Sequence, residues 1–205
     1  MNQLAVENLH LWRGEQHVLR GVSFGVQGGQ CLQVLGANGA GKTTLLRALC
    51  GLTPLESGRI AWCGQDVLAN RASYHGALAY LGHDNGLKGD LTAAENLRYA
   101  LATRRRAGPA AVVAALERVG ASELGGSLLR HLSAGQRRRV ALARLGLMGA
   151  ALWLLDEPGS NLDEPGQGLL GQLLAQHLSS GGIAVVATHR AIELPTGQLS
   201  SLALQ

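Results

Sequence analysis

With 46% of its 205 residues hydrophobic and 16% charged, the chain has too much apolar material to be disordered and enough to bury the core of one domain. Its 29 glycines fall singly or in pairs without a period, which excludes collagen-like and linker-like chains. The formal charge of +4 admits nucleic acid, anionic lipid or a phosphorylated ligand as a partner and selects none of them.

In chain order, Leu4 to Leu9 and Val18 to Val26 alternate in the manner of strands. The segment Met1 to Leu9 lacks a basic-then-apolar signal pattern, so the expectation is a chain that stays in the cytoplasm. Gln30 to Leu35 is a third, more continuously apolar strand and ends in a glycine-rich loop. Thr43 to Leu49 follows as a helix stopped by Gly51 and Pro54, and Arg59 to Cys63 and Leu78 to Leu81 are further strands. Thr92 and Glu95 form a capping box that opens a helix through Ala102, Pro109 starts another to Val119, and Gln136 to Leu147 is a third. Strands return at Ala151 to Leu155 and Ile183 to Ala187, apolar on both faces as buried parallel strands are, with a helix from Gly168 to Leu178 between them. The order predicts an α/β core with a helical insertion over about 84–150, within a single domain spanning 1–205.

Three further features have plain readings. The longest apolar stretch, Leu145 to Leu155, is far shorter than the roughly 20 residues of a spanning helix. Cys31, Cys50 and Cys63 are widely spaced with no CxxC pair, and are expected as reduced core thiols. The runs Arg104 to Arg106 and Arg137 to Arg139 read as solvated helix faces.

The chemistry begins with Gly36-Ala37-Asn38-Gly39-Ala40-Gly41-Lys42-Thr43, which matches G-x-x-x-x-G-K-[ST] between a strand and a helix. In such a loop the glycines let backbone N–H groups turn inward around phosphate oxygens, and the helix N-terminus adds a favourable field. Lys42 is placed to reach the β- and γ-phosphates of ATP and the Thr43 hydroxyl to ligate Mg²⁺, with Thr44 completing the binding segment. This motif alone leaves kinases, GTPases, recombinases and transporters open. Next, Leu152-Trp153-Leu154-Leu155 leads into Asp156 and Glu157. A buried strand would hold Asp156 for Mg²⁺ and place Glu157 one residue later as a general base for water.

Leu132-Ser133-Ala134-Gly135-Gln136 separates these classes, because it resembles the LSGGQ signature of the ABC ATPases, with Ala134 in place of the first glycine. The resemblance spans essentially the whole chain. It implies an ABC ATPase domain of the P-loop NTPase fold, with a mainly parallel β core, an N-terminal antiparallel β part and a helical subdomain. It also implies that two copies sandwich two ATP molecules head to tail, with Ser133, Gly135 and Gln136 of one copy closing the other's site. Ser160-Asn161-Leu162-Asp163 looks like the family's D-loop, which couples the two sites, with Asn161 a small departure. His189 resembles the switch histidine that contacts the γ-phosphate and orients Glu157. His83 stands where most members carry a glutamine beside Mg²⁺. The residue stacking on adenine falls among Trp12, Arg13 and His17, with Trp12 preferred and His17 third.

The segments Arg71 to His75, Leu81 to Asp84, Leu91 to Leu97 and Leu132 to Leu145 further resemble the haem-exporter ATP-binding subunit of bacterial cytochrome c maturation systems. That resemblance implies a peripheral protein on the cytoplasmic face of the inner membrane, partnered by integral-membrane subunits. Nucleic acid is not expected as a partner, and haem is met only indirectly, since the chain has no CxxCH. The alternatives are an exporter ATPase for another cargo (lipid, peptide or drug) and a soluble ABC ATPase acting on nucleic acid or the ribosome. The latter needs coiled coils or tandem cassettes that 205 residues do not hold. A GTPase is disfavoured by the lack of an Asn-Lys-x-Asp motif.

Overall fold

Apolar residues at Leu4, Val6, Leu9 and Leu11 are all buried on one side of the first strand, β1 (Gln3–Arg13), and this alternation seats an antiparallel sheet on the core. The computed structural model describes residues 1–102, 108–189, 192, 194, 195 and 197–204. They form two compact units, one of Met1–Gly82, Ala150–Pro158 and Leu174–Gln205, the other of His83–Gly149 and Gly159–Leu173.

In the first unit β1 pairs with β2 (Gln16–Gln27) and with β4 (Ser57–Trp62), which in turn pairs with the two-residue β5 (Gln65–Asp66). A parallel sheet holds the order β6 (Leu78–Leu81), β7 (Leu152–Asp156), β8 (Ile183–Ala187), β3 (Cys31–Leu35), β9 (Leu199–Ala203). Every residue of β7 and β8 is buried, which is why both read as unbroken apolar runs. Leu45, Leu46 and Leu49 of α1 (Lys42–Leu49) share one core with Leu152 and Leu154 of β7, Val185 of β8 and Leu4 and Leu9 of β1. Each such fully buried leucine stabilises the unit by about 1.5–3 kcal/mol. The mixed architecture is the one the family resemblance implies.

Several elements differ from expectation. The edge strand β9 and the short helix α2 (Arg71–Ala77) were not anticipated: β9 is almost wholly exposed, and α2 is held by the Asn70 side chain, which accepts from the Ser73 N–H at 3.2 Å. Cys31 and Cys50 are buried, and burial pushes both thiols up to about 12. Cys63 corrects the core-thiol expectation, because it lies exposed in the turn between β4 and β5 with φ 50°.

The second unit is helical. Thr92 caps α3 (Ala93–Ala102): its hydroxyl accepts from the Glu95 N–H at 3.2 Å, and the Glu95 carboxylate accepts from the Thr92 N–H at 2.8 Å. The Glu95 carboxyl is lowered below its ordinary range first by that backbone bond and then by the Thr92 hydroxyl. Next come α4 (Pro109–Arg118), α5 (Ala134–Leu147) and the start of α6 (Glu164–Ser179), whose end belongs to the first unit. Asn96, 5% exposed, staples the preceding loop by accepting from the Lys88 N–H at 2.8 Å and donating to the Lys88 and Thr92 carbonyls at 3.0 Å each. The solvated-face reading of Arg137 to Arg139 is corrected at Arg138, which is 1% exposed and donates to Asn85 Oδ1 at 2.9 Å. Arg104 to Arg106 lie outside the described residues. Among those described, no helix is long and apolar enough to cross a membrane.

Candidate functional site

The loop from Gly36 to Gly41 leaves the end of β3 and turns directly into α1. Two of its glycines are demanded by their surroundings. At Gly36 (φ 153°) a Cβ would stand 2.9 Å from the Leu204 carbonyl oxygen, and at Gly41 (φ 95°) 2.7 Å from Val18 Cγ1. Lys42 is 8% exposed, and its ammonium donates to the Gly36 and Ala37 carbonyls at 2.7 and 3.1 Å, at the centre of the loop. Asn38 and Gly39 are exposed at the loop's tip, and the Ala40 N–H closes a turn onto Ala37 O at 3.1 Å. Thr43 is exposed and Thr44 half-buried in the first turn of α1. That helix has no acidic residue in its first turn and no side-chain cap, so its leading N–H groups face an incoming anion without competition. Glycines that only a backbone fits, a central lysine and a bare helix start suit a polyphosphate.

Asp156 ends β7 and is 3% exposed. Parallel pairing sets it beside Ala187 of β8, and the next N–H, of Glu157, donates to the Ala187 carbonyl at 2.8 Å. Glu157 is held at φ 46°, a left-handed conformation that costs a side-chain-bearing residue about 1–3 kcal/mol and that clusters at functional sites. Two residues beyond Ala187, His189 brings Nδ1 to 3.2 Å from both Glu157 carboxylate oxygens. A carboxylate only accepts, so the proton sits on Nδ1 and Nε2 is left as the outward-facing nitrogen. The His189 side chain is 71% exposed and that of Glu157 24%, which leaves the histidine as the more accessible partner. Tyr80 of β6, not singled out from sequence, is the neighbour that burial and the Asp156 charge push up to about 12, so it stays a neutral phenol beside the buried carboxylate.

Trp12 and His17 face each other across the turn joining β1 and β2, their rings parallel within 5° and 4.3 Å apart. Trp12 is the outer ring, 48% exposed, whereas Arg13 pairs with Gln16 at the hairpin's end.

In the second unit Ser133 caps α5. Its hydroxyl accepts from the Gln136 N–H at 3.2 Å, and Gln136 Oε1 accepts from the Ser133 N–H at 2.9 Å. At Gly135 a Cβ would lie 2.8 Å from the Asn161 carbonyl oxygen, so the start of α5 and the loop Ser160–Asp163 touch backbone to backbone. Asn161 (φ 61°) turns that loop, and Asp163 closes it, accepting from Arg139 at 2.8 Å and from the Gly166 N–H at 3.1 Å. The Arg139 bond holds the Asp163 carboxyl below its usual range. His83 is exposed at the head of this unit. The candidate residues thus fall into two groups: the glycine-rich loop with Asp156, Glu157, His189 and Trp12 in one unit, and Ser133, Gly135, Gln136, Ser160, Asn161, Asp163 and His83 in the other.

The family model described as ABC transporter matches residues 19–160. A protein named cytochrome c biogenesis ATP-binding export protein CcmA, from Paraburkholderia xenovorans, is 42% identical over 220 residues, covering 98% of this chain and 96% of its own. Its namesake from Escherichia coli O157:H7 is 41% identical over 204 residues, covering 100% and 97%. A solved structure of the ATP binding subunit of an ABC transporter superposes with a TM-score of 0.84 at 26% identity, over 91% of this chain and 79% of that one.

Proposed function

The chain belongs to the ABC transporter family of ATP-binding proteins, and from that premise we propose that it hydrolyses ATP to energise haem delivery or export for c-type cytochrome biogenesis at the bacterial inner membrane. The observation that carries the hydrolysis is the Glu157–His189 contact at 3.2 Å, in the same unit as the glycine-rich loop. The cargo rests on the likeness to the two CcmA proteins over nearly the whole chain.

In this reading Gly36 to Thr44 bind the triphosphate, with Lys42 exchanging its two loop carbonyls for β- and γ-phosphate oxygens. Thr43 and Asp156 are the residues that would hold Mg²⁺, which when bound with nucleotide neutralises charge on the β- and γ-oxygens. Such an ion is normally held by one or two protein groups plus phosphates, and the buried carboxylate ending β7 and the exposed hydroxyl in the first turn of α1 are donors of that kind. Glu157 takes a proton from water, whose oxygen attacks the γ-phosphorus as the bond to the bridging oxygen breaks, releasing ADP and phosphate. His189 orients Glu157 by donating from Nδ1 and contacts the γ-phosphate with its outer nitrogen, a contact that needs a proton on Nε2 as well as on Nδ1. Trp12 stacks on adenine.

Ser133 and the Gly135 N–H, at the start of α5 of a second copy, close the site head to tail, with Gln136 holding that start in shape. Ser160, Asn161 and Asp163 couple the two sites. The closing of the pair is passed to integral-membrane subunits of the cytochrome c maturation machinery, with this chain peripheral on the cytoplasmic face.

The test is covalent haem on c-type cytochromes, by haem-stained gel, in cells carrying only Lys42→Ala or Glu157→Gln. Loss of stain while apocytochrome is still made is the expected result. Unchanged stain with a verified dead ATPase would overturn the cargo and leave an ABC ATPase of another substrate.

A further inference from the structure

Four side chains on the antiparallel sheet form an unbroken row that the roles above use only at its end. Trp12 lies flat on His17. His17 Nε2 is 3.1 Å from His10 Nδ1, and His10 Nε2 is 3.2 Å from Asn8 Oδ1. The two imidazole centroids are 5.2 Å apart with planes 27° from parallel. With nitrogens at 3.1 Å, that spacing is an edge-to-edge hydrogen bond rather than a face-to-face stack. An amide oxygen only accepts, so His10 donates from Nε2, and its Nδ1 in turn accepts from the His17 Nε2–H. The row therefore has one proton order, which sets both tautomers and both ring planes.

The backbone is shaped around it. Asn8 takes φ 49° and its N–H donates to Ser23 Oγ at 2.8 Å. Opposite, a Cβ at Gly21 would crowd Asn8 Oδ1 at 3.1 Å. Leu11 pairs with Leu19 but Trp12 with His17, so Val18 is an extra, bulged residue of β2. Val18 is the residue whose Cγ1 abuts Gly41. Consecutive residues of one strand thus touch the Trp12 ring and the glycine-rich loop.

We propose that His17 is a positioning residue for the nucleotide base, holding the Trp12 indole at a set plane and distance from the loop that takes the phosphates, with His10 and Asn8 fixing His17. The proposal rests on Trp12 being the base platform. An exposed indole left unsupported would be ordered only on binding, at a cost in affinity that a held ring avoids. His17→Ala is therefore expected to weaken ATP binding to the full chain about three- to ten-fold, while binding of inorganic tripolyphosphate, which has no base, stays unchanged. Trp12 fluorescence becomes more open to acrylamide in the same variant. His17→Phe, which keeps a flat ring under the indole, recovers most of the affinity.

Equal weakening toward ATP and tripolyphosphate would overturn the proposal, placing the effect on the loop through Val18. Wild-type ATP affinity in His17→Ala, or a Phe form as weak as the Ala form, overturns it as well. In these cases a weakened Trp12→Ala variant leaves the platform standing. An unaltered Trp12→Ala variant instead removes the platform and the proposal together.

Discussion

Replacing Gly41 by alanine separates two constraints that meet at one atom. The left-handed backbone at φ 95° costs an alanine about 1–2 kcal/mol. The new Cβ would sit 2.7 Å from Val18 Cγ1 and 3.3 Å from Leu19 Cδ2, well inside the usual 3.5–4.0 Å between carbons. Overpacking of that kind costs about 1–3 kcal/mol, for a total of about 2–5 kcal/mol. Gly39 is the internal control: its φ is 89°, and a Cβ there would meet nothing within 4 Å, so Gly39→Ala carries the backbone cost alone, about 1–2 kcal/mol. Urea unfolding of the full chain reads both. With a slope of about 1–3 kcal/mol per molar, the Gly41→Ala midpoint falls by about 1–2 M and the Gly39→Ala midpoint by clearly less. Adding Val18→Ala to Gly41→Ala opens the space and recovers the overpacking part, a coupling of about 1–3 kcal/mol that it cannot show with Gly39→Ala. Equal midpoint shifts for the two glycines, or additive effects of Val18→Ala and Gly41→Ala, would refute the contact between β2 and the loop.

Other expectations concern other elements. Gly135→Ala drives a Cβ against the Asn161 carbonyl at 2.8 Å, which is backbone and cannot swing aside; hydrolysis is expected to fall sharply at unchanged ATP affinity, measured by turnover alongside equilibrium nucleotide binding. Asn85→Ala removes the side-chain oxygen that receives the buried Arg138, and is expected to destabilise by about 1.5–3 kcal/mol in chemical denaturation, whereas the exposed Asn38→Ala is near neutral. His177 stacks on Trp153 at 3.9 Å and donates to the Ile183 carbonyl at 3.0 Å, and burial lowers its pKa, favouring the neutral ring. The unfolded chain then takes up the proton first. Stability is full above the ordinary imidazole value of about 6.5 and is lost as pH falls below it toward the folded value. Thermal melts at about pH 7.5 and pH 5.5 should show wild type losing more Tm than His177→Phe, and equal losses would contradict the buried neutral ring.

What could be read from sequence was what a single segment dictates. The loop Gly36 to Thr43 is legible because Leu204 and Val18 forbid a Cβ at its first and last glycines. The strands β7 and β8 are legible because both faces are covered. The α3 capping box needs only Thr92 and Glu95, four positions of chain. The misses come from elsewhere. β9 is exposed at the sheet's edge, so no burial patterned it. Three arginines in a row suggested a solvated face, yet consecutive helical residues are turned by about 100° and cannot share one, so Arg138 points inward. The row Asn8–His10–His17–Trp12 depends on bulges in both strands, and a register shifted by one residue is invisible before pairing. Among the site residues, the tie between Glu157 and His189 joins positions that only the parallel pairing of β7 with β8 brings together.

Lys42 already has company. Its ammonium rests on two carbonyl oxygens of its own loop, so the buried charge is tolerated before any anion arrives, and nucleotide capture is a change of acceptors rather than the filling of a bare hole. Removing the side chain therefore does two things at once. It deletes an attraction for phosphate, and it leaves the Gly36 and Ala37 carbonyl oxygens without the ammonium that donates to both. In a lysine-free loop the bare start of α1 still draws an anion, but two carbonyls that have lost their donor work against it.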